Sequence, residues 1–240
     1  MGNERSGFSM SKVGKKHKEA LEVLSSKEFS SLDDKLDFII KNSKAKFDES
    51  VNLDLTLGID PSKGEQSVRG AVLLPYGTGK QVRVIAFVKG DKEEEAKKAG
   101  ADFAGLEDLI EKIEKGWMDF DAAVATPDLM GQVGKVAKIL GPRGLLPNKK
   151  VGTVTFDVAS VVEELKKGRV SYKNDKGGIV HASFGKVSFG VEKLKENLKA
   201  LIKAIQSSKP ASSKGKFLKK ITLSSTMGVG LSVDSDEILN

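Results

Sequence analysis

The chain has 240 residues, 39 % of them hydrophobic and 30 % charged, a globular balance with room for one large domain or two ordinary ones. With no cysteine and two histidines, it excludes disulfides, thiolate nucleophiles and cysteine- or histidine-rich metal sites, and no apolar run is long enough to span a bilayer. The formal charge of +7 is uneven: residues 1–68 hold 11 basic and 12 acidic side chains, residues 69–156 hold 14 and 12, and residues 157–240 hold 15 and 9. The excess is therefore C-terminal and densest from Lys186 to Lys220, a field that attracts polyanions.

No apolar stretch follows Met1, so a secretory signal is not expected, and the absence of cysteine is compatible with a reducing cytoplasmic setting. Met1-Gly2 begins like a myristoylation acceptor, but the residues after it match only loosely. Lys12, Lys15, Lys16, His17 and Lys18 form a basic arm entering a helix whose apolar face is Ala20, Leu21, Leu24 and Phe29. Ser31, with Asp34 three positions later, caps a second helix striped by Leu32, Leu36 and Ile39. From Val51 to Leu57 apolar and polar residues alternate, which predicts a strand with one buried and one wet face.

Near Arg69 the character changes. Ala71–Leu74 and Val82–Val88 are near-continuous apolar runs, as expected of parallel strands covered on both faces. Between them Gly77-Thr78-Gly79-Lys80 lacks the glycine at position 74 and the Ser or Thr at position 81 that a phosphate loop requires. A helix over Glu93–Lys98, a strand at 101–104, a helix through Leu106–Ile113, a strand at 120–125 and a helical stripe through Leu129, Val133, Val136 and Leu140 complete an alternating α/β block. The carboxylates at Glu93–Glu95, Asp119 and Asp121 read as solvated. Trp117 reads as packing.

Gly141–Thr153 carries three glycines and two prolines with an apolar middle and the basic residues Arg143, Lys149 and Lys150. So much specification in a loop points to a domain junction or a binding surface. Asp157 then caps a helix that stops at Gly168. Residues 170–173 and 179–182 flank a turn at Asn174–Gly178 and read as a hairpin. Val191–Ile205 is the longest amphipathic helix, and Phe217–Leu223 a last strand. The Val51 strand has no partner within residues 1–68, so its partners lie in the C-terminal third. The expected fold is a discontinuous α+β domain, with an antiparallel split β-α-β sheet, from residues 1–68 and 157–240. An α/β Rossmann-like domain at 69–156 is inserted through two adjacent crossovers. Arg69, Gly141, Arg143, Gly144 and Gly152 are the expected hinge or junction residues.

No catalytic constellation, cofactor motif or metal site is evident, and no dinucleotide fingerprint follows any strand. Two segments instead combine small polar, basic and apolar residues, namely Lys46–Ser50 and Ser224–Gly228. Brought together at a sheet edge, Lys46 would meet phosphate, Ser50 and Thr226 would meet 2′-hydroxyls, and Phe47 or Met227 would pack on a sugar or base, as in RNA minor-groove recognition. Glu49 would accept from a base amino or hydroxyl group.

The chain resembles the ribosomal L-one family of large-subunit stalk proteins, in its bacterial form. The residues that carry the resemblance are Lys46-Phe-Asp-Glu-Ser-Val, Leu57-Gly-Ile-Asp-Pro, Gln81-Val-Arg-Val, Gly116-Trp-Met-Asp-Phe-Asp, Ala125-Thr-Pro-Asp, Ile139-Leu-Gly-Pro-Arg-Gly-Leu-Leu-Pro-Asn, Asn174-Asp-Lys, Phe217 and Thr226-Met-Gly. The resemblance implies RNA contacts at Lys46, Phe47, Glu49, Ser50, Lys186, Thr226, Met227 and Gly228. Looser phosphate contacts would come from Lys15, Lys16 and the region around Lys216. It further implies that the protein is not an enzyme and has no cofactor. Its partners would be large-subunit rRNA, tRNA at the exit site and its own operon mRNA, with no membrane, and the protein would be monomeric outside the ribosome. Two rival classes are an α/β nucleotide-binding enzyme and a protein-interaction module built on the basic helix at Val191.

Overall fold

The computed structural model describes residues 14–27, 29 and 31–239, and forms a mixed α/β structure with several sheets. Lys12 and the Met1-Gly2 pair lie outside the described residues, as does the side chain of Lys16.

Strand β1 (Ser50–Leu57) is central to the largest sheet. Val51, Leu53, Leu55 and Leu57 are buried while the residues between them are half-exposed, as the alternation predicts. Its neighbours are β7 (Ile179–Lys186) and β8 (Leu218–Ser225), both antiparallel, and β9 (Leu231–Val233) completes the order β7-β1-β8-β9. Both partners of β1 do come from the C-terminal third. Helices α1 (Lys15–Ser26) and α2 (Leu32–Asn42) precede this sheet. Ser31 caps α2, its hydroxyl accepting from the Asp34 amide at 3.2 Å. Leu21 in α1 is exposed rather than buried, and Phe29 lies past the helix end, edge-on to Phe38 at 5.2 Å.

The apolar run at Ala71–Leu74 is not a parallel strand. It contributes to β2 (Arg69–Leu73), which pairs antiparallel with β6 (Arg169–Lys173) in a two-stranded ribbon of mostly half-buried residues. The expected hairpin is corrected by the same pairing. Asn174 and Val180 form one bridge, but β6 then turns to β2 while β7 turns to β1. Asn174 drives the split, because its side chain accepts from the Val68 amide at 2.8 Å and its own amide donates to the Val68 carbonyl.

The parallel sheet consists of β3 (Val84–Phe87) flanked by β4 (Phe103–Gly105) and β5 (Ala122–Ala125). Val154 extends it by a parallel bridge to Ala125. Ile85 and Phe87 face one apolar cluster with α4 (Glu107–Glu114), α5 (Met130–Val133) and α6 (Ala137–Leu140). Val84 and Ala86 face another with Ala96 of α3 (Asp91–Lys98) and with α7 (Val158–Lys167). Two-sided burial explains the continuous hydrophobic run. Trp117 packs edge-on against Phe103 at 5.0 Å and tilted against Phe120 at 5.6 Å. Asp119 and Asp121 are not merely solvated: Asp119 pairs with Arg83, and Asp121 with both Arg83 and Lys80.

A separate cluster unites the β1 face, α2, α8 (Gly190–Ser207), Leu74, Tyr172 and, through Ile238, α9 (Ser235–Leu239). Thus Leu74 packs with the first sheet, and α7 packs with the parallel one.

Candidate nucleic-acid interface

At the Ser50 end of β1 the two segments singled out in the sequence meet. The Thr226 hydroxyl accepts from the Ser50 amide at 3.0 Å and donates to the Ser50 carbonyl at 3.2 Å. Directly beneath, the Glu49 carboxylate accepts from the Ala45 amide at 3.1 Å and the Met227 amide at 3.0 Å. Glu49 is 1 % exposed. Burial alone pushes its pKa up, but hydrogen bonds from the Ser43 and Ser225 hydroxyls and from the Met227 and Ala45 amides outweigh it and hold the carboxyl below its ordinary 4.5. Glu49 therefore clamps the Thr226–Gly228 turn onto the Ala45–Ser50 segment, and its oxygens do not face solvent. Gly228 is needed for close approach, since a Cβ there would sit 2.4 Å from Ser225 Oγ. On this rigid base Phe47 and Met227 are left 56 % and 68 % exposed. Apolar side chains displayed over fully bonded polar groups are a surface prepared for contact.

Lys46 is exposed in the same segment. Lys186 pairs with Ser50 across the β1–β7 ladder and donates to the Asp48 carbonyl at 3.0 Å. Ser188 fixes the Asp48 carboxylate through its amide and hydroxyl at 3.2 and 2.8 Å. A groove of about 530 Å³ runs between α1 and this turn, lined in part by Lys15, His17, Lys44, Phe47 and Met227. Lys46, Phe47, Glu49, Ser50, Lys186, Thr226, Met227, Gly228 and Lys15 are thus brought together. Lys216 is not. It lies beside Gly58, at the Leu57 end of β1.

Residues 39–229 match the model of the ribosomal protein L1p/L10e family. The large ribosomal subunit protein uL1 of Nitratidesulfovibrio vulgaris (strain DSM 19637 / Miyazaki F) is 54 % identical over 229 residues, covering 95 % of this chain and 97 % of the relative.

The chain belongs to the ribosomal protein L1p/L10e family.

Membership makes it a structural, non-catalytic component of the cytoplasmic ribosome, which removes the nucleotide-binding enzyme as a reading. After the Gly141 loop, Val154 bridges to Ala125 and α7 packs on the parallel sheet before the chain leaves at Gly168. Gly141 closes α6 with a helical φ of −58°, and Arg143 is exposed. Gly144 and Gly152 adopt left-handed φ values of 72° and 76°. At Gly152 a Cβ would meet Arg169, whose guanidinium donates to the Val151 carbonyl at 2.6 Å and pairs with Glu164 at 2.5 Å. Gly144, Leu145 and Leu146 face a cleft of about 410 Å³ whose other walls include Arg69, His181 and Lys186.

Gly77 and Gly168 approach each other closely. A Cβ on Gly168 would lie 2.4 Å from Gly77 Cα. Asn197, wholly buried in α8, ties the Tyr76–Gly77 segment down. Its side chain accepts from the Tyr76 amide at 3.0 Å and donates to the Gly77 and Phe184 carbonyls at 2.9 and 2.8 Å. Sequence reading missed Asn197; its one available signal is a polar residue inside the apolar stripe of α8, at a position flanked by Leu194, Leu198 and Leu201.

Proposed function

We propose that this protein is a constituent of the large ribosomal subunit that grips a folded element of large-subunit rRNA at the Ser50–Thr226 end of its four-stranded sheet. The observation that carries the reading is the clamped turn. Two segments 176 residues apart are locked by Thr226 and Glu49, and they present Phe47, Met227 and Lys46, with Lys186 of the neighbouring strand β7 bonded to the first of them. Exposed hydroxyls and backbone groups suit the 2′-OH and shape recognition used on structured RNA, and lysines supply the salt-dependent phosphate term. The relative is named for the large subunit, which supports the same assignment here. Glu49 acts in this reading as a support for the turn and not as a base contact.

Through the family resemblance the reading extends to formation of a mobile stalk, to release of deacylated tRNA from the exit site, and to repression of the protein's own operon mRNA through a site that mimics the ribosomal one. It also extends to two domains. The RNA-binding one would be built from both chain ends and the other inserted, with the crossovers at about 74–84 and 165–169, where the apolar clusters change. Gly77 and Gly168 would then be the joint, in place of the Gly141 loop.

Thr226→Val tests the RNA reading. The threonine is exposed, so water replaces its bonds to Ser50 and the melting temperature stays within a few degrees. Affinity for a folded rRNA fragment should fall roughly tenfold, the loss of about one well-placed hydrogen bond. Unchanged affinity removes Thr226 from the interface. Equal binding to the fragment and to an arbitrary duplex overturns the reading as a whole.

A further inference from the structure

The carboxyl ends of the parallel strands hold a cavity that the RNA reading leaves unused. From β3 the chain turns through α3 to β4 on one side, whereas after β5 it passes through α5 and α6 to Val154 on the other. The segments that follow β3 and β5 therefore part. Open parallel sheets take ligands in the crevice left where connections diverge in this way. Here the crevice has a volume of about 450 Å³, within the range of small-molecule sites. Its polar walls are Lys89, Asp91, Lys92 and Glu95 on the β3 side and Thr126 and Asp128 on the β5 side.

Thr126 is the residue that calls for a ligand. It is 4 % exposed, and it holds the N-cap position of the turn Pro127–Leu129, yet its hydroxyl makes no capping bond. A threonine in that position ordinarily turns its oxygen to the amides of the turn. The Thr126 amide is spent on the Phe87 carbonyl at 3.3 Å. The hydroxyl is not sealed in, since no side-chain polar atom among the described residues is both sealed and unbonded, and it opens into the crevice. Across the crevice α3 begins after Gly90, whose φ is 67° and which has no side chain to cap the first amides of the helix. Lys92 donates to the Phe156 carbonyl at 3.2 Å, with its ammonium 5.2 Å from the centroid of the Phe156 ring. That ring is displayed beside the Lys92 wall, 61 % exposed. Asp91, Glu95 and Asp128 are exposed carboxylates, and among the described residues neither they nor Lys89 and Lys92 take part in an ion pair.

We propose that this crevice binds a ribonucleoside monophosphate. The uncapped start of α3, the Lys89 ammonium and the Thr126 hydroxyl supply donors for a phosphate. The carboxylates repel a bare anion but accept from sugar hydroxyls, so walls of both kinds select a ligand that carries an anion and hydroxyls together. The Phe156 ring offers a stacking face to any base. A single phosphate fits because a single glycine, Gly90, lies between β3 and α3, whereas a pyrophosphate is met by a turn of three glycines. The site binds and releases, and no bond is broken in it. It belongs to the parallel sheet, whereas Ser50 and Thr226 stand at one end of the four-stranded sheet, so the proposal does not depend on the RNA reading.

The test titrates the full chain, free of RNA, with AMP, GMP, CMP and UMP, and follows backbone amide NMR shifts and the melting temperature. All four should give saturable shifts at Lys89–Lys92 and Thr126–Leu129 and raise the melting temperature, with inorganic phosphate and ribose binding more weakly. Thr126→Val, close in shape, should weaken nucleotide binding roughly tenfold through the loss of one hydrogen bond to a charged group. Asp128→Asn should weaken the nucleotides several-fold and leave inorganic phosphate bound no less tightly. Both variants should keep the affinity of the unmodified protein for the folded rRNA fragment. Shifts confined to Lys46 and Lys186, unchanged nucleotide affinity in the variants, or inorganic phosphate binding as tightly as the nucleotides overturns the proposal. Displacement of bound nucleotide by the rRNA fragment also overturns it, because the crevice would then be an RNA contact. Melting curves check that each variant folds, and Asp128→Asn, at an exposed position, decides the matter if Thr126→Val does not.

Discussion

Glu49 shows how a single buried charge is tolerated. Its two oxygens hold together segments from opposite parts of the chain, and each accepts a backbone amide, so the cost of desolvation is offset by charge-assisted hydrogen bonds. Glu49→Ala should cost about 1–3 kcal/mol, because it leaves those amides unpaired, and denaturant titration reads the loss directly. Because the folded-state pKa lies below the ordinary value, the contribution of Glu49 is present above that value and disappears as pH falls through the folded pKa. Melting curves taken on the acid side of 4.5 should therefore decline less for Glu49→Gln than for the unmodified protein. His181 has the opposite sign. Its ring nitrogen lies 2.6 Å from Asp54 and the other ring nitrogen 3.6 Å from Asp175. The hydrogen bond to Asp54 is the main reason that its pKa is raised above 6.5. Its stabilising effect is complete below 6.5 and is lost as pH rises through the folded pKa, so His181→Gln should flatten the fall of melting temperature across that alkaline window. Neither Glu49 nor His181 could be assigned these roles from the sequence, because the Met227 amide that Glu49 clamps and the Asp54 carboxylate that His181 meets lie far away in the chain.

Elements with a clean periodicity were legible. Strand β1 alternates without exception, and α8 carries an apolar stripe through Leu194, Leu198, Leu201, Ile202 and Ile205 into which the buried Asn197 is set. Both pack face to face in the main cluster. Leu53 sits at the centre of β1 with no exposure, and Leu53→Ala should lower stability by about 2–5 kcal/mol in denaturant titration, through lost transfer energy and the cavity left behind. The run at Ala71–Leu74 was less legible. Four apolar residues in a row fit a strand buried on both faces, but they fit equally well a ribbon covered on one side whose end turns into a core. Here Leu74 enters the core while Leu73 is left exposed. The residues at 170–182 misled in a similar way. The turn at Asn174–Gly178 has hairpin chemistry, and the strands on either side nevertheless chose different partners because Asn174 is spent on Val68.

At the scale of the whole molecule, the chain passes from one apolar cluster to another. Residues up to Leu74 pack with the first sheet, and α7 packs with the parallel sheet. The chain passes between them twice at one spot, where Gly77 and Gly168 lie backbone to backbone. Gly168 has a φ of 106°, so Gly168→Val combines backbone strain with a direct clash. It should cost at least about 2 kcal/mol in thermal or denaturant unfolding, and a melting curve indistinguishable from the unmodified protein's would show that the Gly77 and Gly168 segments separate freely. Local pattern alone determined the alternating block, the capped helices at Ser31 and Asp157, the β1 face, the family motifs and the gathering of positive charge toward the C-terminus, because each of these depends on neighbours within a few turns or strands of sequence. Tertiary structure alone decided which strands of the C-terminal third flank β1 and which one turns to β2, that Gly77 and Gly168 meet, that Glu49 is a buried clamp, and that Lys216 stands a full strand length from Thr226. Those outcomes depend on how buried faces and polar groups find distant partners, and no local spacing encodes that choice.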